Sequence, residues 1–270
     1  MRKIVDCFIF YNEIDMLEFR LDYLKDSVDF FVIAEASKTH VGKEKPLFLK
    51  ENLSRFERYM DKIILIECDD LSDFIPGSPD VETLPWENEV RHRDSINKGI
   101  DILNRLHGLD DSDIILISDL DEIPDTNTLL DIKKVGIEGI NSLVQDLYYY
   151  NLTCKVDRWR FSKAIDFLTY KSYGSPHNIR MTTFQEIGKD IEKGGWHFSY
   201  FGNPEFIINK IESFSHQSLN NDEFKDIERI KSRVENRENL YDDKKFEFIN
   251  PSENTYLPEG YQKLIDMTNI

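Results

Sequence analysis

Residues 113–125, Asp-Ile-Ile-Leu-Ile-Ser-Asp-Leu-Asp-Glu-Ile-Pro-Asp, constrain the fold more than any other stretch of the chain. Ile114, Ile115, Leu116 and Ile117 form an unbroken aliphatic run, as in a strand covered on both faces. Asp119, Asp121 and Glu122 follow at once, so such a strand delivers carboxylates to the sheet's carboxyl edge, where open α/β sheets bind ligands. Asp119 and Asp121 share a face if the strand continues, and on a turn Glu122 can join them. Carboxylates this close repel one another unless a cation sits among them, and Mg²⁺ or Mn²⁺ suits such oxygen ligands. A solvated acidic turn is the plain alternative, against which the buried strand weighs.

The flanking sequence supplies partners for that strand. Residues 3–11 and 28–36 are rich in β-branched and aromatic residues, and 62–68 makes a third strand. Between the first two, Met16, Leu17, Phe19, Arg20, Leu21, Tyr23 and Leu24 recur at helical spacing. Residues 86–106 predict one helix, with Trp86, Val90, Ile96, Ile100, Leu103 and Leu106 on its buried side, after a long polar loop over 69–85. Alternating strands and helices imply an α/β fold with a mostly parallel, Rossmann-like sheet covered on both faces. Beyond 125 the pattern predicts a helix at 126–134 and a strand at 142–151. The βαβ rhythm is lost over 152–200, and helices follow at 207–214 and 223–240. No linker divides the chain, so 1–270 reads as a single domain.

Composition narrows the function. The chain carries 34 Lys and Arg against 51 Asp and Glu, a formal net charge of -17. That argues against nonspecific binding to nucleic acid or anionic membrane, which needs a basic face. Three scattered cysteines, Cys7, Cys68 and Cys154, suggest neither a disulfide framework nor a zinc cluster. Asp6 interrupts the first apolar stretch and Asn12-Glu13 end it, which argues against a signal peptide there, and no run reaches the ~18 apolar residues of a membrane span. These features predict a cytoplasmic chain.

Five ordered segments carry a resemblance: Phe10-Tyr11-Asn12-Glu13; Glu35 to Gly42 with Lys45-Pro46-Leu47; Trp86 to Asp94; Ser118 to Pro124; and Gly195-Trp196-His197-Phe198-Ser199-Tyr200-Phe201-Gly202. Together they resemble glycosyltransferase family 17 over roughly residues 3–216. The resemblance implies a GT-A type fold, a UDP-sugar donor, UDP-N-acetylglucosamine first among them, a divalent metal, inversion at the anomeric carbon and a glycan acceptor. Residues 1–125 would then bind the nucleotide sugar, 126–216 the acceptor, and 217–270 would form a helical extension.

Asp119 and Asp121 match the family's metal motif, Asp121 for direct ligation and Asp119 for metal or ribose. Glu122 is a further ligand, a donor-sugar contact or an exposed turn acid. His197 resembles the histidine that GT-A enzymes return to the metal, with packing among Trp196, Phe198 and Tyr200 as its other use and His216 as a weaker rival. Glu35 ends a strand where a carboxylate can bind a base or ribose. Asn12 and Glu13 face the same crevice or cap the following helix. Arg91 and Arg93 can reach a phosphate, or pair with Glu87 and Glu89. An inverting transferase needs a general base. Glu186 is the choice, with Asp146 and Asp166 behind it. Trp159, Trp196 and Tyr200 can stack on sugars or pack the core. Two other classes compete: a haloacid-dehalogenase-like phosphatase, which usually carries its aspartate near the start of the domain, and a nucleotide-sugar or glycan binding module without turnover.

Overall fold

The acidic segment ends a central strand of a ten-stranded sheet. The computed structural model describes residues 1–74, 83–183 and 188–268. Strands β1 (Ile4–Phe10), β2 (Phe30–Ala36), β3 (Ile63–Cys68) and β4 (Ile114–Asp119) pair in parallel in the order β3-β2-β1-β4. Ile114 and Leu116 enter one core cluster, with Phe8, Leu17 and Phe31. Ile115 and Ile117 enter another, with Val32, Ile100 and Leu103. Alternation in a strand buried on both sides requires that division.

Helix α1 (Ile14–Leu24) returns the chain from β1 to β2, and the short α2 (Phe48–Glu51) follows β2. Residues 86–106, expected as one helix, form two that abut at Ser95, α3 (Leu84–Asp94) and α4 (Ile96–His107). Two residues assigned to the buried side are exposed, Trp86 at 41% and Leu106 at 67%. α3 turns toward the carboxyl edge of the sheet and only α4 packs its stripe on the core, so Trp86 is freed for the cavity described below.

After β4 come β5 (Glu122–Pro124), α5 (Thr126–Val135), β6 (Ile140–Tyr149), β7 (Cys154–Trp159) and β8 (Lys163–Asp166). β8 runs antiparallel between β4 and β6, and so joins the parallel part to the later strands. Short helices α6 (Phe167–Tyr173) and α7 (Pro176–Arg180) precede β9 (Lys189–Ser199), which lies parallel to β6 and antiparallel to β5. Helices α8 (Pro204–Ser213), α9 (Ile227–Asn236) and α10 (Gln262–Met267) follow. The C-terminal extension, expected to be helical, also contributes β10 (Glu247–Phe248), which pairs with β7. Among the described residues no helix is long and apolar enough to cross a membrane.

Candidate active site

The carboxyl ends of β1, β2 and β4 meet α3, α7, α8 and β9 around a cavity of about 440 Å³. Five Lys and Arg side chains line it among the described residues (Lys38, Lys45, Arg93, Arg180 and Lys210), against four carboxylates (Glu13, Glu89, Asp119 and Asp121). In a chain of net charge -17, this wall is thus nearly balanced, with one cation in excess among these side chains.

A buried cation shapes the acidic turn. β4 ends at Asp119, the chain reverses through Leu120 and Asp121, and β5 begins at Glu122. Arg20 of α1 is fully buried beneath this reversal. Its Nη1 donates to the carbonyls of Asp119, Leu120 and Glu122 at 2.8, 2.9 and 2.9 Å. Nε and Nη2 grip the Asp6 carboxylate at 2.8 and 2.6 Å, and Nη2 also reaches Ser118 Oγ at 2.7 Å. The fork thus fixes three backbone carbonyls of one turn, a task for which Lys lacks the geometry.

Asp119, expected at the metal or the ribose, instead has its oxygens on two guanidinium groups, Arg93 Nη1 at 2.5 Å and Arg180 Nη2 at 2.6 Å. Each oxygen of Asp119 thus accepts from one arginine. Burial alone would raise the Asp119 carboxyl, but Arg180 and Arg93 outweigh it and hold it well below the usual range. Glu122 is fully buried rather than an exposed turn acid. It accepts from Arg180 at 2.7 Å on both oxygens, from Trp159 Nε1 at 2.5 Å and from the Asp119 amide at 3.0 Å.

Arg93 also donates to Glu89 at 2.8 Å, and Glu89 accepts from Ser215 Oγ. Burial opposes the Glu89 charge, yet Arg93 and His40 bring its carboxyl down to about 2. A carboxyl lowered on folding adds stability above its unfolded value of ~4.3 and loses it as pH falls toward the folded value. The Glu89→Gln variant is therefore expected to be up to about 3 kcal/mol less stable at pH 7 and to show a flatter loss of stability between about pH 5 and 2 in urea titrations.

Asp121 and His197 come together because Glu122 lies opposite His197 in the β5–β9 pairing and Phe198 N donates to Asp121 O at 2.8 Å. His197 Nε2 is 3.4 Å from Asp121 Oδ1, while Lys210 Nζ of α8 donates to Asp121 Oδ2 at 2.8 Å. Burial would raise the Asp121 carboxyl, but Lys210 and His197 drive it well below the usual range. An oxygen and an imidazole nitrogen that converge at a cavity wall suit a divalent ion such as Mn²⁺. No group of three His, Cys, Asp or Glu side chains placed to hold a metal occurs among the described residues, and Lys210 already holds one Asp121 oxygen, so Asp121 Oδ1 and His197 are the two donors this wall could offer an ion.

The glycines before His197 make this approach possible. Gly195 has φ +123, and a Cβ there would stand 2.0 Å from the Ile123 carbonyl oxygen. Gly195→Ala is expected to cost at least about 3 kcal/mol in urea denaturation, because both backbone strain and a clash between paired strands oppose it.

Of the other predicted residues, Glu13 lines the cavity with its carboxylate 3.8 Å from Lys210. Asn12 lies beside it but bonds Asn209. Neither side chain caps α1: Glu13 occupies the N-cap position without a side-chain cap bond, and it accepts from the Asn12 amide. Glu35 does not reach the ligand space. It is fully buried and accepts from the amides of Leu49 and Lys50 at 2.8 and 3.1 Å, so it holds the start of α2 instead of a base or ribose. Arg91 sits outside the cavity, bonded to Ser72 and 3.7 Å from Glu87. Asp146 alternates with Leu147 and Tyr149, which line the cavity, so it faces away and pairs with Lys155 at 2.6 Å. Its expected role as base is not supported by that placement. Asp166 caps α6. Glu186 lies outside the described residues.

Trp159 and Tyr200 line the cavity, and the Trp159 ring is 4.6 Å from that of His197. Trp196 is core, its Nε1 bonded to the Tyr256 carbonyl. His216 lines the cavity edge-on to Trp86. Arg20, Arg180 and Lys210 carry no motif that marks their part in the site. Asp6 in an apolar strand and Arg20 on the apolar stripe of a helix were the one signal that two opposite charges would be buried together.

This geometry can be set beside known proteins. A family model described as Glycosyltransferase family 17 matches residues 1–253. The rat protein named beta-1,4-mannosyl-glycoprotein 4-beta-N-acetylglucosaminyltransferase is 24% identical over 296 residues, covering 98% of this chain and 53% of its own length. The human protein of that name is 25% identical over 237 residues, 78% of this chain and 43% of its own. The chain thus spans about half the length of the curated relatives it matches. With the acidic turn, His197 and the cavity between them all inside the matched span, the chain belongs to glycosyltransferase family 17.

Proposed function

We propose that this chain is an inverting N-acetylglucosaminyltransferase with a GT-A type core, which moves the sugar from a UDP donor to a glycan acceptor with the help of a divalent metal. The observation that carries the reading is the convergence of Asp121, His197 and Lys210 on one cavity at the carboxyl edge of the parallel strands. The names of the relatives supply the sugar and suggest a mannose-containing acceptor.

In glycosyl transfer the difficulty is the negative charge that grows on the leaving diphosphate, and prepaid cationic charge stabilises it most. Lys210, Lys45 and Arg180 place such charge at the cavity wall, held there by the folded chain. Arg93 and Arg180 hold Asp119 and Glu122 rigid, so that the turn does not yield when donor binds. A divalent ion held by Asp121 and His197 would supply Lewis-acid stabilisation of the same diphosphate. Trp159, behind His197, offers an apolar ring to a sugar face.

The test is UDP release from a panel of UDP-sugars with Mn²⁺ present or chelated, followed by NMR of the product's anomeric configuration. Metal-dependent turnover of UDP-N-acetylglucosamine with inversion is the expected result. Absence of turnover together with absence of UDP-sugar binding in calorimetry overturns the donor assignment.

A further inference from the structure

His40 stands at the cavity wall on the segment that leaves β2, and His92 of α3 lies buried behind it. His92 Nε2 is 2.9 Å from the Ala34 carbonyl oxygen, and His92 Nδ1 is 3.2 Å from His40 Nε2. A carbonyl oxygen only accepts, so His92 carries its proton on Nε2 and presents a lone pair at Nδ1. That lone pair requires the His40 proton to be on Nε2. A neutral His40 therefore keeps a bare lone pair on Nδ1, which has no partner among the described residues.

Three features hold this arrangement. The His40 carbonyl accepts from Asn88 Nδ2 at 3.0 Å, which pins the backbone. The two rings meet edge-on with centroids 5.5 Å apart. Burial pushes both imidazoles below their ordinary value, so both are neutral at pH 7. The carboxylates on the same wall are already engaged, Glu89 and Asp119 with Arg93, and Asp121 with Lys210. His40 Nδ1 thus offers the cavity an uncharged acceptor of fixed direction. Its natural complement is a neutral N–H or O–H donor, not a phosphate.

We propose that His40 selects the nucleoside of the donor by accepting, at Nδ1, a hydrogen bond from the uracil imide N–H or a ribose hydroxyl. The inference rests on the UDP-sugar reading above and adds to it a residue that discriminates among nucleotides. His92 is the positioning residue, since it dictates which nitrogen of His40 is bare.

Calorimetry on the whole chain tests this with UDP, 3-methyl-UDP, 2′-deoxy-UDP and 3′-deoxy-UDP. The native chain is expected to bind one of the three analogues about tenfold more weakly than UDP, and that analogue names the group recognised. The His40→Leu variant should bind UDP about tenfold more weakly and no longer distinguish it from that analogue. His40→Asn, whose amide can donate toward His92 and still accept from the ligand, should recover part of the difference. Thermal melts check that both variants fold. If His40→Leu does not, the native chain and His40→Asn decide, and equal affinity of the native chain for UDP and all three analogues overturns the proposal. Discrimination that persists unchanged in a folded His40→Leu overturns it as well and leaves the UDP reading intact. Failure of the native chain to bind UDP overturns both.

Discussion

Replacing Arg20 with Met is expected to destabilise the protein by about 3–5 kcal/mol, because it strands the Asp6 carboxylate in the core without a partner. The double replacement of Asp6→Leu with Arg20→Met should restore only the part due to the stranded carboxylate, since the three carbonyls that Arg20 satisfies stay unpaired. Activity should not return. The carbonyls of Asp119, Leu120 and Glu122 would still lack the guanidinium that fixes them, and a displacement of about 1 Å in reacting groups costs on the order of 100-fold in rate. Urea denaturation and UDP release on the single and double variants check the two halves separately. A double variant that is both stable and fully active would show that the turn keeps its shape without Arg20.

Asp121→Ala is the other large effect. It removes the carboxylate that joins Lys210 to His197, and donor turnover should fall about 1000-fold, the loss typical of removing a main electrostatic element of a site. Chelation, which is expected to silence the native chain, should then change nothing further in the variant. Residual turnover that still responds to added Mn²⁺ would move the metal away from Asp121. The contrast with Asp119 is informative, because Asp119→Asn weakens two arginine contacts without touching His197, so its expected defect is in donor affinity more than in metal response.

The parallel half of the sheet was legible because each of its strands is an aliphatic run, and burial on both faces leaves little freedom in how such a run is used. The acidic turn was legible for the same reason: charge placed directly after a buried strand must emerge at its end. His197 was singled out by the resemblance of its segment, and the β5–β9 register shows why glycine precedes it. The cations were not legible. Arg180 reaches Asp119 across 61 positions and Lys210 reaches Asp121 across 89, from a five-residue helix and from an otherwise ordinary amphipathic one. Nothing local marks either residue. Glu35 misled because a strand-end acid reads alike whether it faces a ligand or the amides of the next helix, and the difference lies in how residues 45–50 fold back. Asp146 misled through parity, since a position one residue along β6 belongs to the other face.

The unbroken sheet has a mechanical consequence. β8 and β6 stitch the parallel strands to β9, and β9 stitches back to β5, so the segment with the acidic turn and the segment with His197 belong to one hydrogen-bonded plate. A plate of this kind has no hinge line through the site. Donor capture in this chain then falls to side chains and short connecting segments moving over a stiff floor, and the radius of gyration in scattering should stay constant when UDP is added.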